Sequence, residues 1–282
     1  MIPSIDVLLD VQPKPKVQFT LHGHYQHLVH AAIETLRFYA PRDSSYWGCF
    51  SGGKDSCVIK HLAKLAGVAV NWHYAITTLD PPEQTAFIKR YHPDVQRDKP
   101  HKTFLEWMQT KGVPTRRIRW CCDKLKESCS PDGCRLLMGI RAQESPRRAK
   151  TWQTLTQLHG RRTGEVVSPI LHWHADDVWR FIKQHQLPYC KLYDQGYTRT
   201  GCVLCPMAGP DGHARDLKRY PSMCRQIEKA AKSFWNRRKS QGAIGRSYSA
   251  FANADEFWQW WISDGPIPGK PHHCQGQLEF WS

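Results

Sequence analysis

The sequence predicts an α/β protein built on a doubly wound, mostly parallel sheet with helical additions at both ends. Three observations carry this prediction. A short apolar run, Tyr46 to Phe50, leads into a glycine loop, Ser51-Gly52-Gly53-Lys54-Asp55-Ser56, and then into a helical pattern. A second apolar run follows that helix, completing a strand, helix, strand unit whose crossover makes the two strands parallel. The alternation then persists to about residue 187.

Taken in order, residues 1 to 20 contain proline and show little pattern, whereas Leu28, Ala31, Ala32, Thr35, Leu36 and Tyr39 recur at helical spacing and predict a helix over 25 to 39. After the glycine loop, Ile59, Leu62, Ala63 and Ala66 mark one face of a helix that Gly67 ends. Residues 68 to 75 read as the second strand. Helical patterns follow over 83 to 91 and 102 to 111, then a buried strand over 136 to 140, then a helix over about 175 to 185. Residues 187 to 212 are rich in turns and aromatics and carry a Cys pair. A mostly helical basic stretch follows, interrupted by Pro221. Its FWQWW run, with Trp258, Trp260 and Trp261, reads as helix packing. The chain thus divides into a lead-in (1–44), a nucleotide-binding unit (45–210) and a helical basic region with a tail (211–282).

At 282 residues, 40% hydrophobic and 23% charged, the chain is long enough for a sizeable core and ordinary in composition. It has no apolar run of about 18 residues that would span a bilayer. The first residues lack the pattern of a secretory leader, so a cytoplasmic location is expected. Forty Lys and Arg against 25 Asp and Glu leave a net charge of +15. The excess is clustered at Arg116-Arg117-Ile118-Arg119, Arg147-Arg148, Arg161-Arg162 and Arg237-Arg238-Lys239, which favours a nucleic acid or phosphorylated ligand. Eleven cysteines in a reducing compartment point to metal binding or redox chemistry rather than disulfides.

The glycine loop is not a Walker loop, which needs four residues between its first Gly and the Gly-Lys pair. Its physics is related. Glycines let backbone N–H groups approach an anion, the following helix offers its positive end, and Lys54, Ser51 and Ser56 add charge and hydroxyls. A pyrophosphate suits such a loop. Cys121-Cys122 and Cys202-Val203-Leu204-Cys205 form a second constellation, whose four thiols could hold zinc or an iron–sulfur cluster, or simply be buried. An adjacent Cys pair makes a poor zinc knuckle, so spacing favours the larger cluster.

Ser-Gly-Gly-x-Asp-Ser resembles the signature of the PP-loop ATP pyrophosphatases, which cleave ATP between its α and β phosphates. The two Cys pairs, Gly139-Ile140-Arg141-Ala142-Gln143-Glu144-Ser145, and residues 187 to 202 together resemble the adenylyl-sulfate and phosphoadenylyl-sulfate reductase family over roughly residues 45 to 210. The resemblance implies an adenine nucleotide alpha hydrolase-like fold. It also implies that Cys121, Cys122, Cys202 and Cys205 hold a 4Fe-4S cluster beside the nucleotide, with Lys126 between cluster and substrate. Gly139, Arg141, Glu144 and Arg147 or Arg148 would contact nucleotide and anionic substrate, a role that suits arginine's bidentate phosphate contacts.

Two departures separate the chain from the reductases. Ile76-Thr77-Thr78-Leu79-Asp80-Pro81-Pro82-Glu83 stands where they often carry Asp-Thr-Gly before Pro-Glu, and Cys274, the only tail cysteine, lacks their Glu-Cys-Gly-hydrophobic-His setting. The chain is closer in character to the cluster-bearing ATP pyrophosphatases of DNA phosphorothioation systems (DndC and SspD type). The expected activity is then adenylylation of a nucleic-acid oxygen, with DNA first among the candidate acceptors. Lys54, Asp55 and Ser56 would act with Lys126 at the reaction centre; Ser51, Gly52 and Gly53 complete the ATP cradle, and Asp55 would bind Mg2+ directly or through water. Sulfur would come from a cysteine desulfurase, with other phosphorothioation proteins as further partners. Two alternatives remain: a sulfonucleotide reductase using Cys274, and a nucleotide-regulated nucleic-acid-binding module.

Overall fold

A computed structural model describes residues 21–158, 163–242, 249–265 and 267. Residues 1 to 20, the Arg161-Arg162 cluster and Cys274 lie outside them. The chain opens with helix α1 (Leu21–Phe38) and strand β1 (Tyr46–Cys49), followed by α2 (Lys54–Ala66) and β2 (Val70–Ala75). Next come α3 (Pro82–Tyr91), β3 (Gln96–Asp98), α4 (Phe104–Lys111) and α5 (Trp120–Leu125). β4 (Arg135–Leu137), α6 (Pro146–Thr151), β5 (Leu155–Leu158), β6 (Gly164–Val167) and α7 (Ala175–Gln184) complete the alternating part. Helices α8 (Gly209–Arg219), α9 (Pro221–Ser240) and α10 (Ala254–Ser263) follow.

The strands form one sheet in the order β3-β2-β1-β4-β6-β5, parallel except for the β5–β6 hairpin. This is the doubly wound, mostly parallel architecture expected from the sequence. From β1 the chain moves outward to β2 and β3, then returns to the other side of β1 as β4. The order therefore reverses between β1 and β4, the place where open α/β sheets offer ligands a crevice beyond their strands' carboxyl ends.

Local signals explain the helices that flank this crevice. Gly67 takes φ +70°, and its N–H meets the carbonyls of Ala63 and Lys64, closing α2 with the left-handed cap expected there. Thr103 and Glu106 form a reciprocal capping box at α4. Alternation along the strands sends Tyr46, Leu137 and Val167 to one sheet face, where they pack with α1, α2 and α7. Tyr46 Oη also donates to the Leu36 carbonyl at 2.9 Å, tying α1 to β1.

The helical layer joins the middle of the chain to its C-terminal helices. Phe104, Met108, Trp120 and Leu125 join Ile227, Phe234, Trp235, Phe257, Trp258 and Trp261 in a single buried cluster. Trp258 and Trp261 are buried, and Trp260 is half-buried against Phe251 and Phe257, so the tryptophan run packs. The strand expected over 136 to 140 is shorter than its apolar run. It ends at Leu137, because Met138 to Arg141 leave the sheet to pass beside the glycine loop.

Candidate functional site

Two loops meet at the reversal of strand order. The first is the glycine loop between β1 and α2. Gly52 has φ +72°, and a Cβ there would stand 2.9 Å from the Ile88 side chain, so glycine is required by both backbone and space. Ser51 Oγ accepts from Gly53 N–H at 3.3 Å, and Ser56 Oγ donates to the Gly53 carbonyl at 2.7 Å. Gln84 on α3 donates to the Ser51 carbonyl at 2.6 Å, holding the loop from the other side.

The second loop follows β4. Gly139 approaches so closely that a Cβ would lie 3.1 Å from the Asp55 carbonyl carbon. This contact brings Arg141 beside the loop. Arg141 Nε donates to Asp55 Oδ1 at 2.6 Å, while Lys54 Nζ donates to Asp55 Oδ2 at 2.8 Å. Both cations are buried, each about 5% exposed, and Asp55 stands between them. Two buried positive charges balanced by one carboxylate suit an incoming anion, since isolated buried charge is costly and a phosphate would restore neutrality. Glu144 contacts Arg141 at 3.8 Å and also pairs with Arg148. Arg141, Glu144 and Arg148 are thus one network, whereas Arg147 is exposed beside it.

The cysteine pairs come from α5 and from the turn before α8. The Cys121 thiol shares a hydrogen bond with Cys122, and that bond holds Cys122 below the ordinary thiol range, with Arg119 and Lys126 contributing against burial. Arg119 reaches Cys122 Sγ at 3.2 Å. Cys121 is driven the other way, first by its bond to Cys122, then by burial and by the charges of Cys202 and Cys205. All four thiols therefore share one electrostatic environment. Lys126 joins it: its interaction with the Cys202 sulfur, then with Cys122 and Cys205, holds its ammonium above the ordinary lysine range against burial. Lys126 is exposed to solvent and all four thiols are half-buried, so the group is open to an incoming partner.

The Cys202–Cys205 turn is braced from three directions. Leu204 takes φ +53°, a conformation costing a leucine about 1 kcal/mol. Its N–H donates to Asp216 Oδ2 at 2.9 Å, and its side chain is buried. His213, also buried, sits 2.9 Å from the Cys205 carbonyl and 2.8 Å from that of Ile262. Cys202 Sγ donates to Thr77 Oγ1 at 3.4 Å, and Val203 N–H to the Leu79 carbonyl at 2.8 Å. Thr77 is in turn fixed by Asp80 through its N–H and its hydroxyl, each at 2.8 Å.

Among the described residues no three Cys, His, Asp or Glu side chains close to the spacing of a single metal ion. An iron–sulfur cluster spreads its ligands more widely, and four accessible thiols beside the cations of Arg119 and Lys126 are a donor set that fits one. Asp55 offers no unengaged carboxylate oxygen, because Arg141 and Lys54 take both.

The structure therefore gathers Ser51 to Ser56, Gly139, Arg141, Glu144 and Arg148 at one crevice, and Cys121, Cys122, Cys202, Cys205 and Lys126 at another position reached through Thr77 and Asp80. Sequence reasoning assigned no role to Gln84, Thr77, Tyr193, His213 or Asp216. Tyr193 stood within a stretch that carried the family resemblance; Asp216 lies 12 residues from the turn it holds, with no local signal.

This is a doubly wound α/β fold of the nucleotide-binding type with a glycine loop at its switch point. The phosphoadenosine phosphosulfate reductase domain matches residues 45–208, and the chain belongs to that family. An uncharacterised protein of Methanocaldococcus jannaschii is 28% identical over 182 residues, covering 62% of this chain and 44% of that protein. A second uncharacterised protein of that organism is 29% identical and is covered over 41% of its length, so the chain spans less than half of these relatives. An adenosine 5'-phosphosulfate reductase of Halalkalibacterium halodurans is 28% identical, covering 63% of this chain and 80% of the enzyme. A phosphoadenylyl-sulfate reductase of Candida auris, solved with phosphate, overlaps 66% of this chain and 97% of its own at 16% identity and a TM-score of 0.47.

Proposed function

We propose that the chain splits ATP at the α phosphate and transfers the adenylyl group to an oxygen of a nucleic acid, a DNA backbone phosphate first, so that sulfur can replace that oxygen. The observation that supports this reading most is the buried pair Lys54 and Arg141, held by Asp55 against the glycine loop. An ATP phosphate entering there exchanges Asp55 for its own oxygens on both cations. Lys54, Arg141 and the loop donors then stabilise charge building on the departing pyrophosphate. The acceptor oxygen attacks the α phosphorus, the bond to the bridging oxygen breaks, and pyrophosphate leaves with the bonding pair. Asp55, released from the two cations that hold it in the empty loop, would bind magnesium directly or through water.

Cys121, Cys122, Cys202 and Cys205 would hold a 4Fe-4S cluster, which would supply sulfur-handling or electron-relay chemistry beside the activated oxygen. Lys126 neutralises the thiolates and, being open to solvent, meets the incoming polyanion. The net charge of +15 serves the same partner. A cysteine desulfurase, with other phosphorothioation proteins, is the sulfur source this reading requires, and the cytoplasm is its compartment. With ATP, Mg2+ and DNA, pyrophosphate should form, and Lys54→Ala should lower it by about 100-fold or more. No pyrophosphate above the Lys54→Ala background sinks the reading.

The similarity to the adenosine 5'-phosphosulfate reductase of H. halodurans favours one rival, reduction of adenylyl sulfate with Cys274 as nucleophile. Sulfite released from adenylyl sulfate by the chain, and lost in Cys274→Ser, would put the rival first; absence of sulfite removes it.

A further inference from the structure

Tyr193 stands between the two halves of the site. Its hydroxyl oxygen accepts the Lys54 backbone N–H at 2.9 Å, the first N–H of α2 and therefore one of the donors that a helix start offers an anion. The Thr200 hydroxyl is a further hydrogen-bonding neighbour of the phenol, and burial pushes the phenol up to about 12, so it keeps its proton. A phenol has one hydrogen to donate and two lone pairs to receive. The Lys54 N–H takes one acceptor position and does not use the phenol hydrogen, which can be donated at a point where a Cβ on Gly53 would come 3.5 Å from the phenol oxygen and 3.3 Å from Thr200 Oγ1.

The ring is also held. Trp179 meets it edge-on at 5.1 Å between centroids, and Tyr189 at 6.4 Å. Lys54 Nζ lies 5.9 Å from its centre. Thr200 stands two residues before Cys202, whose turn is fixed by Thr77, Leu79 and Asp216. Lys54, Tyr193, Thr200 and Cys202 thus form a continuous path from the glycine loop to the cysteine turn.

We propose that Tyr193 is a ligand-binding residue of the glycine loop, donating its phenol hydrogen to a phosphate oxygen, and that through Thr200 it carries loop occupancy to the Cys202–Cys205 turn. The inference rests on the nucleotide reading of the loop. The phosphate draws the phenol hydrogen towards itself, the oxygen reorients between Lys54 N–H and Thr200, and the segment leading to Cys202 shifts with it. Nothing covalent is required.

The test is amide hydrogen exchange on the full chain, with and without a non-hydrolysable ATP analogue, followed at residues 51–56 and 201–205, together with the analogue's affinity. In the wild type the analogue should slow exchange at the loop and change it at the turn. Tyr193→Phe, which keeps the ring packing, should bind the analogue about tenfold more weakly, as for loss of a hydrogen bond to a charged group. At saturation its loop should still be protected while the turn no longer responds, and Thr200→Val should lose the turn response alone. Equal affinity in Tyr193→Phe, or an unchanged turn response in either variant, overturns the proposal. If the wild-type loop itself ignores the analogue, the nucleotide reading fails and this inference goes with it. A protected wild-type loop with a silent turn overturns only the role of Tyr193.

Discussion

Asp55 shows how much chemistry a single carboxylate organises here. It pairs with two buried cations from different elements, one beside it in sequence and one brought by the loop after β4, and leaves an excess positive charge. The sequence marks Asp55 through its place in the glycine loop, but its pairing with Arg141, 86 positions away, follows only from the order of strands. His92 is a contrasting residue, structural and titratable. It lies among Phe50, Phe87, Cys57 and Lys60, and burial lowers it to about 4. Below pH 6.5 the unfolded chain therefore binds a proton that the folded chain refuses. Its contribution is fully present above the unfolded value and is lost as pH falls towards 4, on the order of 3 kcal/mol in all. Urea unfolding from pH 7 to 4 should show a flatter stability curve for His92→Gln than for the wild type; equal slopes would contradict the assignment. Cys57, beside it, is pushed up to about 12 by burial and is a packing thiol.

At the scale of elements, glycine positions decide whether the loops can meet. Gly52 is constrained by a positive φ and by Ile88, Gly139 by the backbone of Asp55. Gly139→Ala should therefore depress pyrophosphate release far more than it lowers thermal stability, since only the loop contact has to give; a large loss of stability with activity per folded molecule intact would contradict this. The braced cysteine turn gives a second expectation. Asp216→Ala leaves the buried Leu204 N–H without its acceptor, costing about 1–3 kcal/mol, and should reduce iron retained on purification. Full iron content in that variant would separate α8 from the thiol site. Helices with strong periodicity, such as α2 and α7, were legible in the sequence. Strands β3, β5 and β6 were not, because runs of three or four residues such as Gln96-Arg97-Asp98 are too short and polar for a period to show.

Over the whole molecule, the sheet and the helical layer are joined at the first turn of α3. Glu83 there accepts from Arg219 Nε at 3.1 Å and from Tyr220 Oη at 3.0 Å, while its neighbour Gln84 holds the glycine loop. Burial would raise Glu83, but the bonds from Arg219 and Tyr220 outweigh it and keep the carboxylate charged. Arg219→Met should cost about 1–3 kcal/mol in urea unfolding and loosen the loop as well, seen as faster hydrogen exchange at residues 51–56; an unchanged loop would show that α8 only packs. The doubly wound architecture could be read from the strand and helix alternation, and the four thiols from their pairing. What lay beyond the sequence was the meeting of distant loops, which depends on β4 returning beside β1. Among the described residues no helix is long and apolar enough to cross a membrane. The central claim is that this crevice cleaves ATP between its α and β phosphates. Incubation with ATP labelled at the α phosphate, in the presence of Mg2+ and DNA, tests it most directly. The account predicts label released as AMP or carried on the nucleic acid, with pyrophosphate in equal amount; label recovered as ADP, or ATP left intact, would contradict it.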